Sequence, residues 1–212
     1  SAGAVEYTIY NDFGEDVQDL MKRLMRIISD SSMMSKYKTD PEMTRDLYWR
    51  IAKSYVNTPA LRFAWLSGLS RYNAASGYPI EAAECLCHMA AFAAEYLHLV
   101  RGKGRDARPW LPAGYRSFAD VSPNIAADES FLEDAMPDSE SATDMKEFTE
   151  EGLVDLLTEA AAALAKAQLY EVAHQMYKLV VPYREHFKRY DAMVELFERL
   201  GSMYREVITA NA

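Results

Sequence analysis

Pro41, Pro59 and Pro79 do most to limit what this chain can fold into, because each stands where a helix begins. Proline suits the first helical position, where the missing N–H costs nothing and the fixed φ is already helical. At the first of these starts Asp40 can cap, and Glu42 complements the positive helix end. A helix should follow through Leu47, Ile51 and Tyr55. Thr58-Pro59 repeats the signal ahead of Leu61, Trp65 and Leu69, and the turn Ser76-Gly77-Tyr78-Pro79 opens a further helix that ends near Gly102. Upstream, Val17, Leu20, Met21, Leu24, Ile27 and Ile28 recur at three- and four-residue steps and make one helical stripe.

After Gly102 the pattern dissolves until about Lys146, beginning with a run dense in glycine and proline. The middle of this stretch, Phe118 to Ile125, is apolar enough to lie against the body as an ordered loop. Periodicity then resumes, predicting helices over about 150–166, 170–187 and 189–208, with Pro182 kinking or ending the middle one. No alternating pattern long enough for a strand occurs. The expectation is an all-α fold: an antiparallel, TPR-like helical-repeat array forming one domain over 1–212, with a long inserted acidic loop at about 102–147. Three junctions look alike, at Tyr78, Tyr170 and Tyr190, each with a small residue (Ala82, Ala173, Ala192) shortly after the tyrosine. In helix-turn-helix repeats such an aromatic wedges between neighbours while alanine permits close approach. The period is too irregular for a standard tetratricopeptide array.

A formal net charge of −9 opposes nucleic-acid binding, which needs a basic surface. From Ser117 to Ala165 the only basic residue is Lys146. That acidic stretch reads as a solvated loop or as a docking surface for a basic partner. No apolar run reaches the length of a membrane span, and the first residues do not resemble a signal peptide. Two cysteines give no disulfide framework and suit a reducing, cytoplasmic setting.

The stretch Glu81 to Val100, EAAECLCHMAAFAAEYLHLV, holds both cysteines and two of the four histidines. Glu95 with His98, and Glu171 with His174, have the Glu-x-x-His spacing used by di-iron carboxylate proteins. On a helical wheel Met89, Ala90, Ala93, Leu97 and Val100 form the apolar side, and Glu95 falls almost opposite, near Glu84, His88 and Ala91. This polar placement argues against a buried di-iron oxidoreductase centre. Cys85 and Cys87 point to different sides of a helix and cannot share a zinc ion; they read as small core residues. Phosphate-binding, nucleophile-elbow and EF-hand motifs are lacking. The basic Arg101-Gly-Lys103-Gly-Arg105 answers a helix C-terminus or holds an anion. No catalytic, cofactor-binding or metal residue is assigned.

Certain strings are more specific. In order they are Asp40-Pro41-Glu42-Met43, Arg50-Ile51-Ala52-Lys53-Ser54-Tyr55, Thr58-Pro59-Ala60-Leu61, Glu81-Ala82-Ala83-Glu84, Ala93-Ala94-Glu95-Tyr96-Leu97, Ser122-Pro123-Asn124 and Tyr177-Lys178-Leu179-Val180-Val181-Pro182. Together, from about Val17 to the last helix, they resemble the first lobe of the DOCKER domain of DOCK-family guanine-nucleotide exchange factors, in its zizimin-related branch. The resemblance implies a helical scaffold lobe whose parent domain releases GDP from Rho-family GTPases such as Rac and Cdc42. It also implies that the GTPase groove and nucleotide sensor belong to two downstream lobes, so that this chain is not itself an enzyme. Implied partners are the GTPase through those lobes, the second lobe by intramolecular packing, and a regulatory protein; an independent helical adaptor is the further alternative. The last helix, with Met193, Leu196, Phe197, Leu200 and Tyr204, is the candidate for packing on the second lobe, unless the same residues close the array's own core.

Overall fold

The computed structural model describes residues 2–55, 58–101, 108–129 and 145–210. They form α1 (Ala2–Lys36), α2 (Pro41–Ser54), α3 (Pro59–Ala75), α4 (Pro79–Arg101), α5 (Pro123–Glu129), α6 (Glu150–Lys166), α7 (Tyr170–Lys178), α8 (Val181–His186) and α9 (Tyr190–Ala210). Two 3₁₀ turns, Gly114–Phe118 and Lys146–Phe148, complete the elements, and no strand occurs among the described residues. The all-α expectation is met. The chain divides into two compact units, Ser1–Leu47 and Tyr48–Ala212.

In the first unit the Asp40 carboxylate accepts the Met43 amide at 3.0 Å, which is the expected cap of α2. The Thr44 hydroxyl adds a bond to the Tyr37 carbonyl at 2.9 Å. The stripe on α1 is helical, but Val17, Leu20, Met21, Leu24 and Ile28 are exposed.

The second unit is an array of helices built around α4, which packs most extensively on α3 and α6. Proline opens α3 as expected, although Thr58 contributes no side-chain cap. Thr149 does cap α6, its hydroxyl accepting the Gly152 amide at 3.0 Å. Phe148 lies at the centre of an aromatic cluster, its ring 5.8 Å from those of Phe63 and Phe92 and 4.7 Å from that of Tyr96. Pro182 has the expected effect: the helix read as 170–187 is two, α7 and α8, with proline in the first turn of the second.

The junction similarity has a backbone cause. Gly77, Gln168 and Lys188 all take positive φ, at 82°, 63° and 52°. Behind each, an amide reaches the carbonyl five residues earlier: Tyr78 to Asn73 at 2.9 Å, Leu169 to Leu164 at 3.0 Å and Arg189 to Arg184 at 2.9 Å. These are Schellman caps, which satisfy the last carbonyls of a helix and turn the chain sharply. The tyrosines do not wedge as expected. Tyr78 and Tyr190 are exposed and Tyr170 is half-buried, whereas Ala82 and Ala173 are buried.

Candidate functional site

One wheel-based expectation fails. Glu95 was placed on a polar, wet face of α4, yet it is only 2% exposed, and His88 and Ala91 are buried with it. The reason is a strap, residues 108–129, that crosses this face. The strap's own Phe118, Val121 and Ile125 are buried, so the stretch expected as an ordered loop packs as a 3₁₀ turn and α5. Helix α4 is thereby covered on both sides, and a wheel that assumes one solvated side misassigns Glu95.

The buried carboxylates under the strap, Glu95 and Glu129, each have a local task. The Glu95 carboxylate accepts the Tyr115 amide at 3.0 Å, at the start of the first 3₁₀ turn. Gly114 permits this approach: its φ is +68°, and a Cβ there would lie 2.1 Å from Glu95 Oε2. Beside the pair is an open hollow of about 440 Å³ lined by Glu95, His98, Tyr115 and Arg116. Farther back on the strap Trp110 stacks on His186 with centroids 3.7 Å apart and donates to Glu150 Oε2 at 3.1 Å, while Arg108 pairs with the same carboxylate.

At its far end the strap is held by a buried ionic clasp. Glu129 and Arg62 are both fully buried. Arg62 Nη2 donates to the two Glu129 oxygens at 2.7 and 2.8 Å, and Nη1 donates to the Ala52 carbonyl at 3.0 Å. His88 Nδ1 stands 3.0 Å from Glu129 Oε1, and Trp49 covers the imidazole edge-on at 4.7 Å. The Arg62 guanidinium also lies 5.2 Å from the centre of the Phe92 ring. A buried charge is tolerated only when paired and hydrogen-bonded, and this carboxylate meets both conditions. Next to it Asp128 accepts from the partly exposed Lys53 at 2.8 Å. The clasp closes a polar core. It pins α5 to α3 and α4 and leaves no oxygen of Glu129 facing water.

The di-iron alternative has no support in this geometry. Among the described residues no three His, Cys, Asp or Glu side chains converge. Glu95 is engaged by the strap, and His174 lies instead 2.5 Å from the Tyr204 hydroxyl. Cys85 and Cys87 are buried core residues as expected, and burial pushes both thiols up to about 12. Residues 102–107 of the basic run and 130–144 of the acidic stretch lie outside the described residues. No described helix is long and apolar enough to cross a membrane.

The sequence did not single out Arg62 or Glu129. Glu129 sits in the acidic stretch that reads as solvated, and only the Pro123 start with Ile125 and Ala126 behind it hinted at a packed helix. The last helix, α9, splits the set expected there. Leu196 and Leu200 close the array's own core with Met203, whereas Phe197 and Tyr204 are exposed beside Tyr190, Val194 and Ile208.

The buried charges of this all-α array thus fasten its own strap. The DHR-2, Lobe A family model matches residues 46–209. Mouse dedicator of cytokinesis protein 6 is 38% identical over 197 residues, covering 92% of this chain and 9% of that protein. Human dedicator of cytokinesis protein 7 is 39% identical over 174 residues, covering 82% and 8%, and human protein 8 is 34% identical over 197 residues, covering 92% and 9%. The chain belongs to the DHR-2 lobe A family of the dedicator of cytokinesis proteins. It spans less than a tenth of the length of these relatives.

Proposed function

We propose that this chain is the non-catalytic scaffold lobe of a guanine-nucleotide exchange factor for Rho-family GTPases such as Rac and Cdc42, acting in the cytoplasm. The single observation that carries this reading is the lobe A match over 46–209, which coincides with the helical array. The GTPase groove and the nucleotide sensor then reside in following lobes, and the task of this chain is to hold them. A surface suited to that task is the exposed face of α9, with Tyr190, Val194, Phe197, Tyr204 and Ile208. The adjoining face, about 110° round the helix, closes the array through Leu196, Leu200 and Met203, so the apolar surface of α9 is wider than the array alone uses. The strap and clasp support the same role, since a rigid platform needs its central helix fixed.

The test is nucleotide release. The chain alone should leave the rate of GDP loss from Rac and Cdc42 at its intrinsic value, and the chain joined to its natural C-terminal continuation should accelerate it. Acceleration by the 212-residue chain alone would overturn the assignment.

A further inference from the structure

The two buried carboxylates under the strap are satisfied to different degrees. Both oxygens of Glu129 accept from Arg62, and His88 stands beside the first. Glu95 is 2% exposed, yet only its Oε2 has a partner, the Tyr115 amide. Among the described residues Oε1 takes no hydrogen bond, and Glu95 makes no ion pair. Nor is Oε1 sealed from solvent, unlike the orphaned Asn73 Oδ1, so it opens on the hollow that Glu95 lines. A buried carboxylate without a counter-charge is costly, and a half-satisfied one calls for a cause.

The walls of the hollow indicate what would answer it. His98, one turn along α4 from Glu95, is half-buried and has no hydrogen-bond partner among the described residues. Arg116, the cation of the lining, is held elsewhere. Its Nε donates to the Tyr115 hydroxyl at 3.2 Å, and its guanidinium lies 5.6 Å from the centre of that ring. The hollow therefore presents a carboxylate oxygen and an imidazole to a group that must bring positive charge and hydrogen-bond donors.

Three cations can be compared. Zinc takes three or four protein ligands, and among the described residues no third His, Cys, Asp or Glu joins Glu95 and His98. An ammonium is a compact point charge that holds its water strongly. A guanidinium is more weakly hydrated, and its planar fork can donate to the carboxylate and the imidazole together. The volume of about 440 Å³ falls within the range of small-ligand sites, ample for one such side chain. The net charge of −9 favours the approach of a basic partner.

We propose that this hollow is a receptor for an arginine side chain of a partner protein, its guanidinium seated on Glu95 Oε1 and reaching His98. This goes beyond the scaffold reading and does not depend on exchange activity. The test is an NMR titration of the 212-residue chain with doubly capped arginine. The amides of Gly114 and Tyr115 and the His98 ring should shift together and saturate at roughly millimolar probe. Glu95→Gln keeps an oxygen for the Tyr115 amide but removes the charge, and should weaken binding by about tenfold. His98→Leu, at a half-buried position, should weaken it by about threefold, and decides the matter if the first variant does not fold.

Absence of saturable shifts at these residues would overturn the proposal, as would an affinity that neither variant changes. An equal response to doubly capped citrulline, which keeps the shape without the charge, would overturn it too. Free arginine binding at least about tenfold tighter than the capped form would also refute it, because the ligand would then be an amino acid. Saturation of the same residues by one equivalent of zinc would refute it as well, making the pair a metal site.

Discussion

Replacing Glu129 by alanine should be among the most damaging single changes in the array, and the structure sets the size of the effect. Arg62 is fully buried and gives two hydrogen bonds to this carboxylate, at 2.7 and 2.8 Å. Without Glu129 the guanidinium keeps its bond to the Ala52 carbonyl but loses the negative charge that offsets its desolvation. Breaking one side of a buried pair costs about 4 kcal/mol. With a urea slope of about 2 kcal/mol per molar, the midpoint should fall by about 2 M. Tryptophan fluorescence suits the assay, because Trp49 stands against His88 in the clasp itself. The double change Arg62→Met with Glu129→Leu removes both charges and keeps the volume, and should lie within about 1 kcal/mol of the parent. A fall of less than about 0.5 M for Glu129→Ala, or a double variant as unstable as the sum of its singles, would refute the ionic account of the clasp.

Gly114→Ala should detach the front of the strap. The new Cβ would meet Glu95 Oε2 in a left-handed backbone, a strain of about 2 kcal/mol that should appear as a lower Tm and faster proteolysis within 108–118. The cysteines make a third prediction. Neither Cys85 nor Cys87 should react with a thiol reagent at pH 8 until the chain is unfolded. Their folded thiols titrate near 12 against about 9 in the unfolded chain, so the unfolded state loses protons first. Stability should therefore be unaffected by these groups below pH 9 and fall as the pH rises from there towards 12, and Cys87→Ala should flatten that fall in a pH series of urea midpoints.

The helix starts at Pro41, Pro59 and Pro79 and the break at Pro182 were readable because proline acts locally, through its own φ and its missing amide. The polarity of α4 was not, because what surrounds a helix is decided by distant chain. Glu95 looks solvated on a wheel until residues 108–129 cross it, and Glu129 looks like one more acid until Arg62 is found opposite. Ala82 and Ala173 were rightly read as packing residues, while the tyrosines beside them drew attention away from the torsion angles that shape those turns. The stripe on α1 was visible at once. Its exposure was not, since periodicity marks an apolar face without naming its cover.

The three Schellman turns carry a consequence for how such an array can change over time. The direction of each reversal is stored in one backbone torsion, at Gly77, Gln168 and Lys188. Only the first of these positions holds the residue that adopts it without strain. At the other two the capping bonds hold a strained residue in place, so glycine, asparagine and unbranched side chains can exchange there while the hairpins keep their geometry. Two lobes with the same fold can thus lose their visible repeat, because what recurs is an angle and not a letter.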